Sequence, residues 1–173
     1  MIAQAPSIKH TLCRENRALL LPWQLAELKA LETGANDKIL DLNCANGALL
    51  RALNRLPRRI LCGLAETPEQ ARQLREEIDS DVLSSSPEDL PWKSQTFDAV
   101  LCGVLHKSNA MPIINEAARV LKPGGKMVAA VPCFTLQADT LRKNELGKIL
   151  AECALETIVS HRSGLYAVIV AEK

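Results

Sequence analysis

Hydrophobic positions along this chain follow two alternating periods. Short, nearly continuous apolar runs at Lys38–Asn43, Arg59–Leu64, Asp81–Leu83, Phe97–Val104 and Lys126–Val131 predict buried strands. Between and before them, apolar residues recur at helical spacing over Arg14–Leu31, Ala48–Leu56, Thr67–Ile78, Met111–Leu121 and Thr135–Ala154. In the first of these helices Leu25, Leu28 and Leu31 share one stripe, and Pro22 predicts a break or restart. Two further strands, Glu156–Ser160 and Leu165–Ala171, close the chain around the turn Arg162-Ser163-Gly164. Too few residues separate them for a helical crossover, so they must form a hairpin with one strand antiparallel to the rest.

The punctuation agrees with the periods. Thr33-Gly34 predicts a glycine-stopped helix end, and Pro57 stops the helix after the first strand. Thr67-Pro68-Glu69-Gln70 carries a cap, a proline at the first helical position and the acceptor of a capping box. Ser84–Gln95, with Pro87, Pro91 and Trp92, is a loop, and so is His106–Ala110; Lys122-Pro123-Gly124-Gly125 predicts a turn before the strand that Pro132 ends. Strands alternating with helices predict an α/β fold: a doubly wound, mostly parallel seven-stranded sheet in three α/β/α layers, with a C-terminal antiparallel hairpin. Residues 1–173 read as a single domain, with 1–24 as an N-terminal arm or helix able to act as a lid. The stretch Lys38–Leu50, KILDLNCANGALL, is a strand, a tight turn and a helix, which is how such a sheet builds a ligand site.

Composition narrows the chemistry. The 21 basic and 20 acidic residues leave a net charge of +1, which offers no footprint for nucleic acid or anionic lipid. Arg51, Arg55, Arg58 and Arg59 read as a solvated helix end. No apolar run approaches the ~18 residues a membrane span needs, and the N-terminus lacks the apolar core of a secretory signal. Cys13, Cys44, Cys62, Cys102, Cys133 and Cys153 are far apart without any CxxC pair, so they read as reduced cytoplasmic thiols and no metal site is expected.

Five segments in order carry a family resemblance. KILDLNCANGALL resembles the first motif of the class I, Rossmann-like S-adenosylmethionine-dependent methyltransferases, usually Val-Leu-Asp-Leu-Gly-Cys-Gly-Thr-Gly. LCGLAETPEQ resembles the family's second-strand motif, and EDLPWKSQTFDAVLCGVLH the segment entering the fourth strand. ARVLKPGGKMVAAVP is similar to the helix, turn and fifth strand, and GLYAVIVAEK to the last strand. The likeness covers about residues 25–173 and points to the ubiquinone/menaquinone-biosynthesis-type branch.

The resemblance implies S-adenosylmethionine as cofactor and S-adenosylhomocysteine as product. It places Asp41 and the turn Asn43, Cys44, Ala45 and Gly47 at the methionine end. Ala65 and Glu66 fall by the ribose, Ser86 and Pro87 against adenine, and Cys102 and Gly103 near the transferring methyl. Four positions in three motifs depart from the family. Asn43 and Ala45 stand where it has glycines, Ala65 where it has the ribose acid, and Ser86 where an aspartate is frequent. A strand residue's neighbour points to the opposite face, so Glu66 can replace that acid only if the strand ends before it. His106, after the fourth strand, is a candidate base, and also a position where related chains carry histidine without a catalytic role.

Two functions fit these residues: methyl transfer to a small-molecule acceptor, or a catalytically inactive methyltransferase-like domain acting as a binding or regulatory partner. Cover for an acceptor would come from residues 1–24, the loop 104–111 and Cys133–Leu136, or from a second subunit of a homodimer or a protein partner.

Overall fold

The computed structural model describes residues 20–31, 33–44, 47–56, 58–134 and 139–173. In chain order the elements are α1 (Pro22–Ala30), β1 (Lys38–Asp41), α2 (Ala48–Asn54), β2 (Ile60–Ala65), α3 (Pro68–Glu77), β3 (Asp81–Ser84), β4 (Phe97–Val104), α4 (Ala110–Val120), β5 (Leu121–Pro132), α5 (Lys143–Glu152), β6 (Glu156–Ser163) and β7 (Tyr166–Glu172). The expected arm before residue 20, the Pro57 stop, Ala45 and the segment Thr135–Ala138 lie outside the described residues.

The strands form one seven-stranded sheet in the order β3-β2-β1-β4-β5-β7-β6. β3, β2, β1, β4 and β5 pair in parallel, and β7 lies antiparallel between β5 and β6. Strand side chains alternate between faces, which divides the core in two. Ile39, Leu61, Ala99, Leu101 and Val128 pack with Leu28 of α1, Leu49 and Leu53 of α2 and Leu74 of α3. Leu40, Leu64, Val100, Cys102 and Met127 pack on the other face with Ile114 and Ala117 of α4 and Leu146 and Leu150 of α5. This is the three-layer arrangement expected from the pattern.

β4 occupies the expected span, and the cap of α3 forms: Gln70 N–H donates to Thr67 Oγ1 at 3.2 Å, while Gln70 Oε1 reaches back to the Glu66 N–H at 3.1 Å. Three local expectations are corrected. α1 ends at Ala30, three residues before Thr33, because Leu31 turns extended (φ −73°, ψ 105°) and is drawn into the core, only 3% exposed. Lys122–Gly125 is not a turn ahead of the strand but an insertion within β5: Phe97 pairs with Leu121 and Ala99 with Lys126, so four residues oppose Asp98 alone. The Lys122 ammonium grips the Asp98 carboxylate at 2.8 Å, which holds the insertion in place. The last helix starts at Lys143 rather than Thr135. Asp139 is instead tied to the loop after β4, accepting from Ser108 N–H and Ser108 Oγ at 2.8 Å each, and Thr140 bridges to His106.

Candidate functional site

Reversal of strand order between β1 and β4 opens a crevice at the carboxyl ends of the strands, the place where doubly wound sheets bind ligands. Here it is a cleft of about 450 Å³, within the range of small-molecule sites. Leu42 and Asn43 after β1, Leu64, Ala65 and Glu66 at the end of β2, and Ser85 and Pro87 after β3 form one wall. Cys102 and Val104 of β4, then Leu105, His106 and Asn109, and Ile113 of α4 form the other.

Local packing fixes these walls. Leu42 N–H donates to Leu101 C=O at 2.9 Å and Cys44 N–H to Leu64 C=O at 3.2 Å, so the turn after β1 is stitched to both neighbouring strands. Gly63 allows this approach. A Cβ there would run into Cys44 Sγ and come within 2.9 Å of Leu50 Cδ1, so the residue beside the turn has to be glycine. Gly47 takes φ +72° to open α2, and a side chain on it would strike Leu74. The loop bearing Ser85 and Pro87 is fastened to α4. Arg119 donates to Leu90 C=O at 2.9 Å and Trp92 C=O at 2.8 Å, and Glu116 accepts the Leu90 N–H at 2.8 Å.

Asn43, Ala65, Glu66, Pro87, Cys102 and His106 therefore come together on the cleft. β2 stops at Ala65, and Glu66 is the first residue past the strand, exposed and on the cleft wall. Ser86 does not line the cleft. It is exposed, with its Oγ accepting the Glu88 N–H at 3.2 Å, and Ser85 takes the wall position. Cys44 is buried with its Sγ on Asp41 C=O at 3.4 Å, and Gly47 and Gly103 support the walls without lining them. Ala45 lies outside the described residues.

Asp41 is likewise behind the wall, 1% exposed; its Oδ1 accepts the Asn43 N–H at 3.0 Å and its Oδ2 has no partner. Burial pushes its carboxyl up to about 7. Next to it stands a residue that the sequence reading missed. Glu27 of α1 is wholly buried, its Oε1 accepting the Gly103 N–H at 3.0 Å and its Oε2 unpartnered. Burial first, and the Asp41 charge second, hold Glu27 well above the usual carboxylate range. The signal was present: Glu27 follows Trp23 by four residues and precedes Leu31 by four, an acid in the middle of an apolar stripe.

Burial also raises the Cys102 thiol, helped by the charges of Glu27 and Asp41, and raises Cys62 to about 11. These sulfurs stay protonated at neutral pH and line or pack rather than attack. Among the described residues no three His, Cys, Asp or Glu side chains gather as metal ligands, and no helix is long and apolar enough to cross a membrane.

A family model described as a methyltransferase domain matches residues 40–129, just over half of the chain and the whole of the region that builds the cleft from β1 to β5. The chain belongs to the S-adenosylmethionine-dependent methyltransferase family. It is 28% identical over 162 residues to a 27-O-demethylrifamycin SV methyltransferase of Amycolatopsis mediterranei, covering 85% of this chain and 59% of that protein. It is 31% identical over 112 residues to a demethylmenaquinone methyltransferase of Tropheryma whipplei, covering 61% of this chain and 46% of that protein. The chain thus spans at most about three-fifths of the length of these curated relatives. Among solved structures, an S-adenosylmethionine-dependent methyltransferase from Aquifex aeolicus has the same fold, with a TM-score of 0.74 at 16% identity and coverage of 92% of this chain and 95% of that one.

The methyltransferase cofactor is an adenosine carrying an amino acid through a sulfonium. The cleft suits such a molecule in size, and its β2 end offers an exposed carboxylate in Glu66. Behind the walls at Asn43 and at Cys102–Val104 lie two buried carboxyl oxygens without partners, on Asp41 and Glu27. The residues present fit the group.

Proposed function

We propose that this chain binds S-adenosylmethionine in the cleft and transfers its methyl group to a small-molecule acceptor. The observation that carries this reading is the convergence of Asn43, Glu66, Pro87, Cys102 and His106 on one cleft at the β1/β4 switch point, in a member of the methyltransferase family. Glu66 would hold the ribose hydroxyls, since a carboxylate can accept both. Leu64, Pro87, Leu105 and Ile113 would bracket the adenine, and Asn43 and Cys102 would border the methionine end. The bound cofactor supplies an electrophilic methyl on a sulfonium. This chain's residues have the task of placing an acceptor in line with it and excluding water.

His106 stands at the cleft with Asn109, whose Oδ1 accepts the His106 backbone N–H at 3.3 Å. Its imidazole is the group available to take a proton from an acceptor hydroxyl or amine. The loop from Val104 to Ala110 covers this end, and its bonds to Asp139 link it to the segment after β5. A small acceptor accords with the net charge of +1 and with relatives named for small-molecule substrates.

The test is incubation with methyl-labelled S-adenosylmethionine and a fractionated cell extract. Label is expected in the small-molecule fraction. Label found in protein or nucleic acid would overturn the acceptor class. Cofactor binding without transfer to any fraction would favour the inactive, partner-binding reading.

A further inference from the structure

Two carboxyl groups are sealed behind the cleft wall where that wall is made by Asn43 and by Cys102–Val104. Glu27 reaches this spot from α1 and Asp41 from the end of β1, at 0% and 1% exposure. Each spends one oxygen on a backbone N–H, Glu27 on Gly103 and Asp41 on Asn43, and each leaves the other oxygen unpartnered. The Asn43 side chain and Trp23 cover Gly103 from outside: a Cβ on Gly103 would sit 3.2 Å from Asn43 Cβ and 3.5 Å from the Trp23 ring. The ionisable groups that act on the pair from the surrounding elements are the thiols of Cys44, after β1, and Cys102, in β4, both kept protonated by burial. Among the described residues, no Lys or Arg contributes to the setting of either carboxyl.

Two buried acids without a counter-cation cannot both ionise cheaply, since removing an anion from water costs several kcal/mol unless it is paired. We propose that Glu27 and Asp41 hold a proton between them in the free protein, and that the ammonium group of the cofactor's amino-acid end, arriving at the adjoining wall, expels it to solvent. Cofactor uptake is then coupled to proton release, with Glu27 as the residue that carries the proton. This rests on the cofactor reading above. No covalent bond changes: the pair loses a proton, the ammonium supplies the compensating charge, and the buffer takes up the proton. Burial raises both carboxyls, and the Asp41 charge raises Glu27 further, so Glu27 is the member of the pair that keeps the proton.

Two measurements at pH 8 test this. The first needs no ligand: the infrared difference spectrum of wild type minus Glu27→Gln should show a protonated-carboxyl stretch. Glutamine keeps the acceptor for the Gly103 N–H, so this variant should fold as the wild type does. The second is calorimetric titration with S-adenosylhomocysteine in two buffers of different ionisation enthalpy. Wild type should release about one proton per ligand bound, and E27Q roughly none, with several-fold weaker binding. As a control, 5′-methylthioadenosine, which lacks the amino acid, should release no proton and bind both proteins alike. Absence of the infrared band overturns the inference whatever the ligand does, and so do equal proton counts in wild type and E27Q. A band present without any binding of S-adenosylhomocysteine would overturn the cofactor reading and the release step together.

Discussion

Between about pH 4 and pH 7 the ligand-free protein is expected to lose stability as pH rises, against the usual trend for carboxylates. Asp41 moves from 3.8 in a free chain to about 7 when folded. Across that window the folded state binds more protons than the unfolded state, so each step up in pH favours unfolding. That rise corresponds to about 4 kcal/mol, fully lost once pH has passed 7. Glu27, also raised by burial, adds to the loss in the same direction. Asp98, Glu116, Glu77 and Glu145 are held low by Lys122, Arg119, Arg51 and the Arg142 N–H respectively, and they act in the opposite sense, but only as pH falls below their ordinary values near 4. Urea unfolding at pH 5 and pH 8 measures the difference. Asp41→Asn should exceed the wild type by about 1–2 kcal/mol at pH 5 and by about 4 kcal/mol at pH 8. A wild type that grows steadily more stable from pH 5 to pH 8 would show that the pair is not buried as described.

Glu66→Ala should weaken S-adenosylhomocysteine binding roughly ten- to hundredfold, the equivalent of about 1.5–3 kcal/mol for hydrogen bonds to a charged group. Folding should be unaffected, because the side chain is exposed and its backbone N–H, bonded to Gln70, remains. Restoring the family's acid one residue earlier should not compensate. Ala65 borders the cleft but is only 1% exposed and packed with α2 and α3, so Ala65→Asp would crowd a carboxylate into that packing. That variant should lose about 1–3 kcal/mol of stability without gain in affinity. Unchanged affinity in E66A would mean that the ribose is held elsewhere.

The periods of the sequence expose the layers and the strand order because each strand buries residues on faces defined by alternation. Phe97–Val104 was legible end to end, since it is central and apolar on both faces. The cap at Thr67–Gln70 was legible because its bonds are local. Elements whose limits depend on distant partners were not. Lys122–Gly125 carries every mark of a turn, yet pairing with β4 and the Asp98 carboxylate turn it into an insertion within a strand. Residues ahead of Lys143 have helical spacing, but Asp139 and Thr140 bind the loop after β4 instead.

The cleft was similarly part legible. Positions next to strand ends, such as Cys102 and Glu66, could be assigned from the family motifs because strand ends define the crevice. The exchange of Ser86 for Ser85 depends on how a proline-bearing loop turns, which Arg119 decides from α4. Gly63 and Cys44 share a packing contact that only the folded chain brings about. The apolar stripe around Glu27 marks it as buried, but the Gly103 N–H that it binds lies 76 residues away and only the folded chain brings the two together.

Whether the cleft between β1 and β4 holds the methyltransferase cofactor is tested most directly by calorimetric titration of the wild type with S-adenosylhomocysteine, paired with thermal unfolding. Saturable binding at one site per chain is expected. At ligand about a hundredfold above the dissociation constant, stability should rise by about 2.7 kcal/mol, which moves the midpoint by roughly 5–10 °C. No heat of binding and no shift in unfolding at millimolar ligand would contradict the account.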